Sequence, residues 1–310
     1  MNKLRRLFRP VLTIVAVTAG ALVLGGASII AAAEWDARTV VAHGVPTDFS
    51  AMTTGPSGAP VLILLHGAGL NGHMWDPVRR GLDARYRVIA LDLPGYGSRL
   101  NETFTLEAAT ATVVSAARSV APAQLVLVGD SLGGYTAMAA ARLLPPEQLR
   151  GLVVGGCSAN FEGMRALTLN YLKNLFIVKM VRTFFDEQKF LSKALANDGM
   201  SPDDGKAILA AGASLRALPA SIRSLLFIDF RAKLADIEQP VLIVNGTLDH
   251  RAMNQEPSFL AAARHPSNYH FDHSEHGVSM RRSAGFAALV NDFAATAFSA
   301  SQAPSAPLKP

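Results

Sequence analysis

The chain has 310 residues, half of them apolar and 17% charged, enough for one large α/β domain or two small ones. That composition suits a well-filled core and excludes wholesale disorder. Of the formal net charge of +5, all but one unit comes from an N-terminal cluster of Lys3, Arg5, Arg6 and Arg9. The rest of the chain is close to neutral, which argues against nucleic acid as a partner, since that needs a basic stripe on the folded domain.

The four bases precede Val11 to Ala33, a run without a charged residue. A basic flank before an apolar run keeps the N-terminus in the cytoplasm and sends the downstream chain across the membrane. Residues 1–33 therefore read as a leader of one of two kinds. A signal peptide would be cut after Ala31, Ala32 and Ala33, just before Glu34. An uncleaved anchor needs about 20 apolar residues, and residues 11–33 supply them, whereas signal-peptide cores run about 7–15. The expectation is an exported domain held at the membrane through residues 11–33, with a secreted or periplasmic protein as the alternative. The single cysteine, Cys157, leaves no intrachain disulfide and reads as a small apolar filler at a strand end.

A strand near Thr39 to Ala42 is expected first. Then come VLILLH (61–66), RVIALD (87–92), QLVLVGD (124–130), LRGLVVGG (149–156), PVLIVNG (240–246) and NYHFD (268–272). Runs this apolar suit strands buried on both faces, and the helical stretches between them predict a mostly parallel sheet. The spacing breaks once, between Val154 and Val241, a gap too long for a bare loop. It reads as helices: Glu162 to Phe185, a second opened by Ser201-Pro202, and Ser214 to Arg231 interrupted near Pro219. The expected division is a leader (1–33), an α/β core in two parts (34–157 and 237–297), an inserted helical cap (158–236) and a disordered Pro/Ala/Ser tail (298–310).

HGAGLNG (66–72) follows the first long strand, and Gly67, Gly69 and Gly72 spell G-x-G-x-x-G. Asp92 stands about 20 residues on, where a dinucleotide fold places its ribose carboxylate. A nucleotide loop needs its helix to start inside the glycines, yet Pro77 would then fall in the second turn. Asp76-Pro77 reads instead as an N-cap and first helical residue, which leaves Gly67 to Trp75 as a loop.

The second glycine motif, Gly129-Asp130-Ser131-Leu132-Gly133, is a G-x-S-x-G between an apolar strand and an alanine-rich helix. A serine on so tight a turn is thrust above the sheet, and the glycines leave room where a Cβ would collide. The N–H of Leu132, in the first turn of the new helix, points where an oxyanion would develop. Such a serine needs a base and an orienting carboxylate, in the chain order serine, acid, histidine. Asp249, after PVLIVNG, is at the carboxyl end of a strand. His276 in SEHGVSM follows the last strand, with His273 as the competing base in the same loop. His66 reads as a brace of the glycine loop and His270 as a packed or edge residue.

With those residues in place the chain resembles the α/β-hydrolase superfamily from about Val61 to Phe293. LLHGAGLNGHMW resembles its oxyanion loop, ALDLPGYGSR its D-x-P-G-x-G-x-S segment, GDSLGG its nucleophile elbow, NGTLDH its acid turn and EHGVSM its histidine loop. The step from His276 to Phe286 matches the family's usual spacing, which His273 would miss. The resemblance implies an α/β-hydrolase fold, oxyanion donors at the Ala68 and Leu132 N–H groups, and no metal or organic cofactor. It implies a Ser131–Asp249–His276 serine hydrolase whose partner is a small or medium apolar carboxylic ester, a lactone or an acyl lipid. C–C hydrolysis, acyl transfer and perhydrolysis on the same residues remain alternatives, with a non-catalytic binding module beyond them. Leu167, Tyr171, Leu175 and Val178 are expected to wall the acyl pocket.

Overall fold

A computed structural model describes residues 24–35, 44–157 and 163–299. Seven strands form one sheet in the order β1-β3-β2-β4-β5-β6-β7. They are β1 (Thr53–Thr54), β2 (Val61–Leu65), β3 (Arg87–Leu91), β4 (Leu125–Asp130), β5 (Leu149–Gly155), β6 (Val241–Gly246) and β7 (Pro266–Phe271). Only β1 runs antiparallel, against β3, and the other neighbours are parallel.

Alternation along each strand explains why these runs are apolar throughout. Val61, Ile63, Leu65, Leu125 and Leu127 enter one core, while Leu62, Leu64, Val126 and Val128 enter the other. The first face is covered by α3 (Leu106–Ser119), α4 (Leu132–Ala141), α9 (Phe230–Ala235) and α10 (His250–Ala262), through residues such as Val113, Met138, Leu234 and Phe259. The second is covered by α2 (Asp76–Arg79) and α12 (Ser283–Ser299), with Val78, Phe286, Val290 and Ala294. β7 is the exception: it closes the sheet edge, and most of its residues are exposed.

The gap between β5 and β6 holds α5 (Gly163–Phe184), α6 (Glu187–Asn197), α7 (Pro202–Ala210), α8 (Leu218–Leu225) and α9. Ser201 caps α7 by accepting the Asp204 N–H. Two local readings are corrected. Pro219 opens α8 rather than interrupting a longer helix, since its fixed φ suits a first turn and its missing N–H costs nothing there. Asp76 is inside α2 and does not cap it. Asn71 takes the capping role, accepting the His73 N–H at the start of a 3-10 turn over Gly72–Trp75, while Asp76 pairs with His73 and Arg79. The helix α6, capped by Asp186, has no counterpart among the expected elements.

The anchor and the export expectation that rests on it are also corrected. Among the described residues no helix is long and apolar enough to cross a membrane. The end of the apolar run belongs to α1 (residues 24–35), and protein packs against it. Ala33 is buried with Tyr171 and Leu175 of α5, while Glu34 accepts the Tyr171 hydroxyl proton and pairs with Arg223. Residues 1–23, the strand expected at Thr39 to Ala42 and the tail from residue 300 lie outside the described residues. α12 itself runs through Ser299.

Trp75 and Phe286 are fully buried with ring centroids 5.9 Å apart, joining the glycine loop to the last helix beneath the sheet. Phe286→Ala is expected to cost about 3–5 kcal/mol of stability, the usual range for emptying a buried aromatic site. Urea denaturation of the two proteins measures it.

Candidate active site

The parallel strands all point their carboxyl ends the same way, so the residues that follow β2, β4, β6 and β7 collect along one edge. Ser131 follows β4 and carries φ +52° and ψ −114°, a backbone that side chains rarely adopt and that costs of order 1–3 kcal/mol. Its own N–H donates to the Gly155 carbonyl at 2.8 Å. The flanking glycines are required by contact: a Cβ on Gly133 would lie 1.9 Å from the Leu65 carbonyl oxygen, and one on Gly129 2.4 Å from the Gly133 backbone.

The glycine loop after β2 crosses directly above this turn. A Cβ on Gly67 would be 3.8 Å from that of Ser131. Buried His66 braces the loop, donating from Nδ1 to the Gly67 carbonyl at 2.8 Å and accepting the Leu93 N–H on Nε2 at 3.0 Å. Burial pushes its imidazole below the ordinary value, against the charge of Asp92 and the Gly67 carbonyl, so it stays neutral and serves both bonds. Asp92 accepts the Gly72 N–H and both the N–H and hydroxyl of Ser98. The carboxylate that suggested a ribose therefore clamps two loops together.

Asp249 and His276 meet because their loops are tied. The Thr247 and Leu248 N–H groups donate to the carbonyls of Phe271 and Ser274, and Gly246 has no room for a Cβ, which would lie 2.2 Å from the Ser274 oxygen. Asp249 caps α10 through the Ala252 N–H, and its other oxygen accepts His276 Nδ1–H at 2.7 Å. His273 sits in left-handed backbone, exposed, with its N–H on Thr247. The structure thus brings His276 to Asp249 and leaves His273 aside.

Ala68, Ser131 and His276 line two cavities that meet at the serine. One, of about 480 Å³, is completed by Leu132, Asp249 and α8; the other, of about 320 Å³, by Asp130, the glycine loop and α6. A model of the Alpha/beta hydrolase family matches residues 62–289. The chain belongs to that family. This hydrolase is 34% identical over 137 residues to the magnesium-chelatase 30 kDa subunit of Rhodobacter capsulatus, across 43% of its own length and 48% of that relative's. It therefore spans about half of that protein. It is 29% identical over 250 residues to a pimeloyl-[acyl-carrier protein] methyl ester esterase of Vibrio atlanticus (strain LGP32), covering 76% of this chain and 94% of that one. Among solved structures, a bacterial membrane phospholipase A matches with a TM-score of 0.63 and 22% identity, over 95% of this chain and 99% of that one. At such identity the likeness shows the fold alone.

Several residues of the hydrolase's site carry no sequence signal of their own. Asp130 is buried, accepts the Ser279 hydroxyl proton on one oxygen and has no partner on the other among the described residues. A Cβ on Gly156 would lie 2.9 Å from His276 Cε1 and 3.4 Å from that free oxygen, so ring and second carboxylate converge where this residue has only hydrogen. The α5 residues facing the larger cavity are Lys173 and Asn174. Tyr171 and Leu175 pack against α1, and Val178 joins the second core, so they do not wall the pocket as expected; the Leu167 side chain lies outside the described residues. Cys157 is buried as expected, and burial with the charges of Asp130 and Asp249 pushes its thiol well up.

Burial alone would lower the His276 imidazole, but the Asp249 hydrogen bond and the charges of Asp130 and Asp249 outweigh it, against Arg251, and hold it above 6.5. Burial raises the Asp249 carboxyl, yet the hydrogen bond and charge of His276, with the Ala252 N–H and Arg251, bring it below 3.8. The Asp249 contribution to stability is lost as pH falls through that lowered value, and the His276 contribution as pH rises through its raised one. Both are whole only between 3.8 and 6.5. The His276 Cε1 proton, followed by NMR in a pH titration, is expected to report a midpoint above 6.5 that moves down in Asp249→Asn. Gly156→Ala is expected to displace the ring, seen as a changed Cε1 shift in a protein that still folds.

Proposed function

We propose that the protein cleaves small to medium carboxylic esters through an acyl-enzyme on Ser131. Its standing as an ester-acting hydrolase rests on the family and on relatives named esterases. The observation that carries the finer reading is that a strained serine and a 2.7 Å imidazole–carboxylate pair line one cavity.

In this mechanism Ser131 Oγ attacks the ester carbonyl while His276 Nε2 takes its proton. Asp249, by accepting from Nδ1, holds the tautomer that leaves Nε2 as the acceptor and stabilises the imidazolium that forms. The negative charge on the carbonyl oxygen is received by the Ala68 and Leu132 N–H groups, each worth about 3 kcal/mol in sites of this kind. Leu132 N–H is at the positive end of α4, which adds to the same field. Collapse expels the alcohol, protonated by His276, and water repeats the sequence on the acyl-enzyme. The general base must be neutral, so the raised imidazole pKa puts the acid limb of the rate profile above 6.5. The helices between β5 and β6 are read as a cap (158–236) closing over a core of residues 34–157 and 237–297, because α5, α6 and α8 supply walls to the two cavities.

Intact mass after treatment with a fluorophosphonate tests the reading. One adduct is expected on the wild type and none on Ser131→Ala, and Ser131→Ala is expected to lose essentially all turnover of 4-nitrophenyl butyrate. An unlabelled, folded wild type would refute it.

A further inference from the structure

The two cavities at Ser131 differ in their lining. The larger one takes Lys173 from α5 and Arg251 from α10. Among its described lining residues the sole acid is Asp249, whose two oxygens are engaged by His276 and by the Ala252 N–H. Asn174 lines the same cavity, while the Ser221 hydroxyl is committed to Tyr96 and the Ala217 carbonyl. The smaller cavity is walled by Leu70, Met74, Leu191, Leu195, Leu215 and Met280. Its acids, Asp130 and Asp198, are taken up by the Ser279 hydroxyl and by Arg281 at 2.6 Å, which leaves its lining mainly apolar.

Lys173 does not face the site by accident of a mobile helix. The opposite side of α5 is fixed by Tyr171 and Leu175 packed on Ala33, and by the Tyr171 hydroxyl on Glu34. With that stripe committed to α1, the helical period puts position 173 on the far side, and Lys173 and Asn174 both line the cavity at Ser131. A site for wholly neutral esters gains nothing from a lysine there, because the ammonium keeps its water and narrows the space for an alkyl group.

Resting on the ester-hydrolase reading, we propose that the substrate carries an anionic group, a carboxylate or a phosphate, seated between Lys173 and Arg251. Its hydrocarbon part occupies the smaller apolar cavity and the scissile carbonyl sits at Ser131. Anions are attracted into the cationic arm and hydrocarbon into the apolar one, so the two linings set the direction in which the ester lies across the nucleophile. Attraction at an open cationic mouth is screened by salt, so the preference falls as ionic strength rises.

The test is a ratio measured within each protein. The kcat/KM of mono-4-nitrophenyl glutarate is divided by that of 4-nitrophenyl butyrate, and that of butyrylglycerol phosphate by that of monobutyrin. The wild type is expected to favour the anionic member of at least one pair at low salt, which also tells a carboxylate source from a phosphate source. Lys173→Glu and Arg251→Glu are each expected to lower that ratio about tenfold or more, the scale of one charge-assisted hydrogen bond. Arg251 also acts on Asp249 and His276, so a loss common to both members of a pair is not counted. Ratios unmoved in both variants, or a wild type that favours neither anion, would overturn the proposal while leaving Ser131-dependent esterase activity standing. If no ester is turned over, the underlying reading fails, and thermal shift decides the anion site by itself. Hexanoate or hexyl phosphate must then raise Tm more than hexanol, and the difference must vanish in Lys173→Glu; equal shifts for all three overturn it.

Discussion

Everything at this site depends on how closely three strands approach around the turn at Ser131. β2 and β4 come together so tightly that the first turn of α4 meets the Leu65 carbonyl, with space for a hydrogen but not a methyl at Gly133. Ser131, at the turn from β4 into α4, has φ +52°. That strain persists because the sheet around it is buried on both faces: β2 and β4 are inaccessible along their whole length. The edge at β7 is exposed by contrast. The proposed nucleophile is thus held at the fully buried centre of the sheet.

Fixed hydrogen bonds organise the electrostatics. Asp249 is fixed by its role as the cap of α10, and Asp130 by the buried Ser279 hydroxyl, so two carboxylates address one imidazole from different sides. About half of the His276 side chain (54%) remains open to solvent, which tempers both influences and leaves the ring accessible to a reacting group. Gly156 permits this arrangement by having no side chain, and its N–H is held by Asn245, itself bound to Glu256. A line of buried polar contacts runs from the sheet's edge, where His270 meets Glu256, to the site.

The glycine loop shows how one sequence pattern can serve different chemistry. In a dinucleotide fold such glycines open a helix onto a phosphate. Here His66 and Asp92 spend their hydrogen-bonding capacity on the loop's own backbone and its neighbour, and Asn71 reaches the Ile208 carbonyl in α7. The loop is thereby fastened to both the sheet and the inserted helices.

What the sequence determined by itself was whatever depends on nearest neighbours along the chain. Apolar runs of strand length, glycines around Ser131, and Asp249 and His276 just past strand ends are local signals, and each has a local physical cause. The role of Pro219, the capping of the turn at Gly72 and the presence of α6 are not legible there: Asn71 and Asp76 both suit a cap, and Pro219 suits either a break or a first turn. Tertiary structure alone decided which face of α5 meets the site, because that helix is apolar around most of its circumference and its orientation is chosen by α1. It also decided that Ala33 packs against protein. The convergence of Asp130, Gly156 and His276, and of Lys173 with Arg251, joins residues far apart in the chain, and no local pattern encodes such a distance.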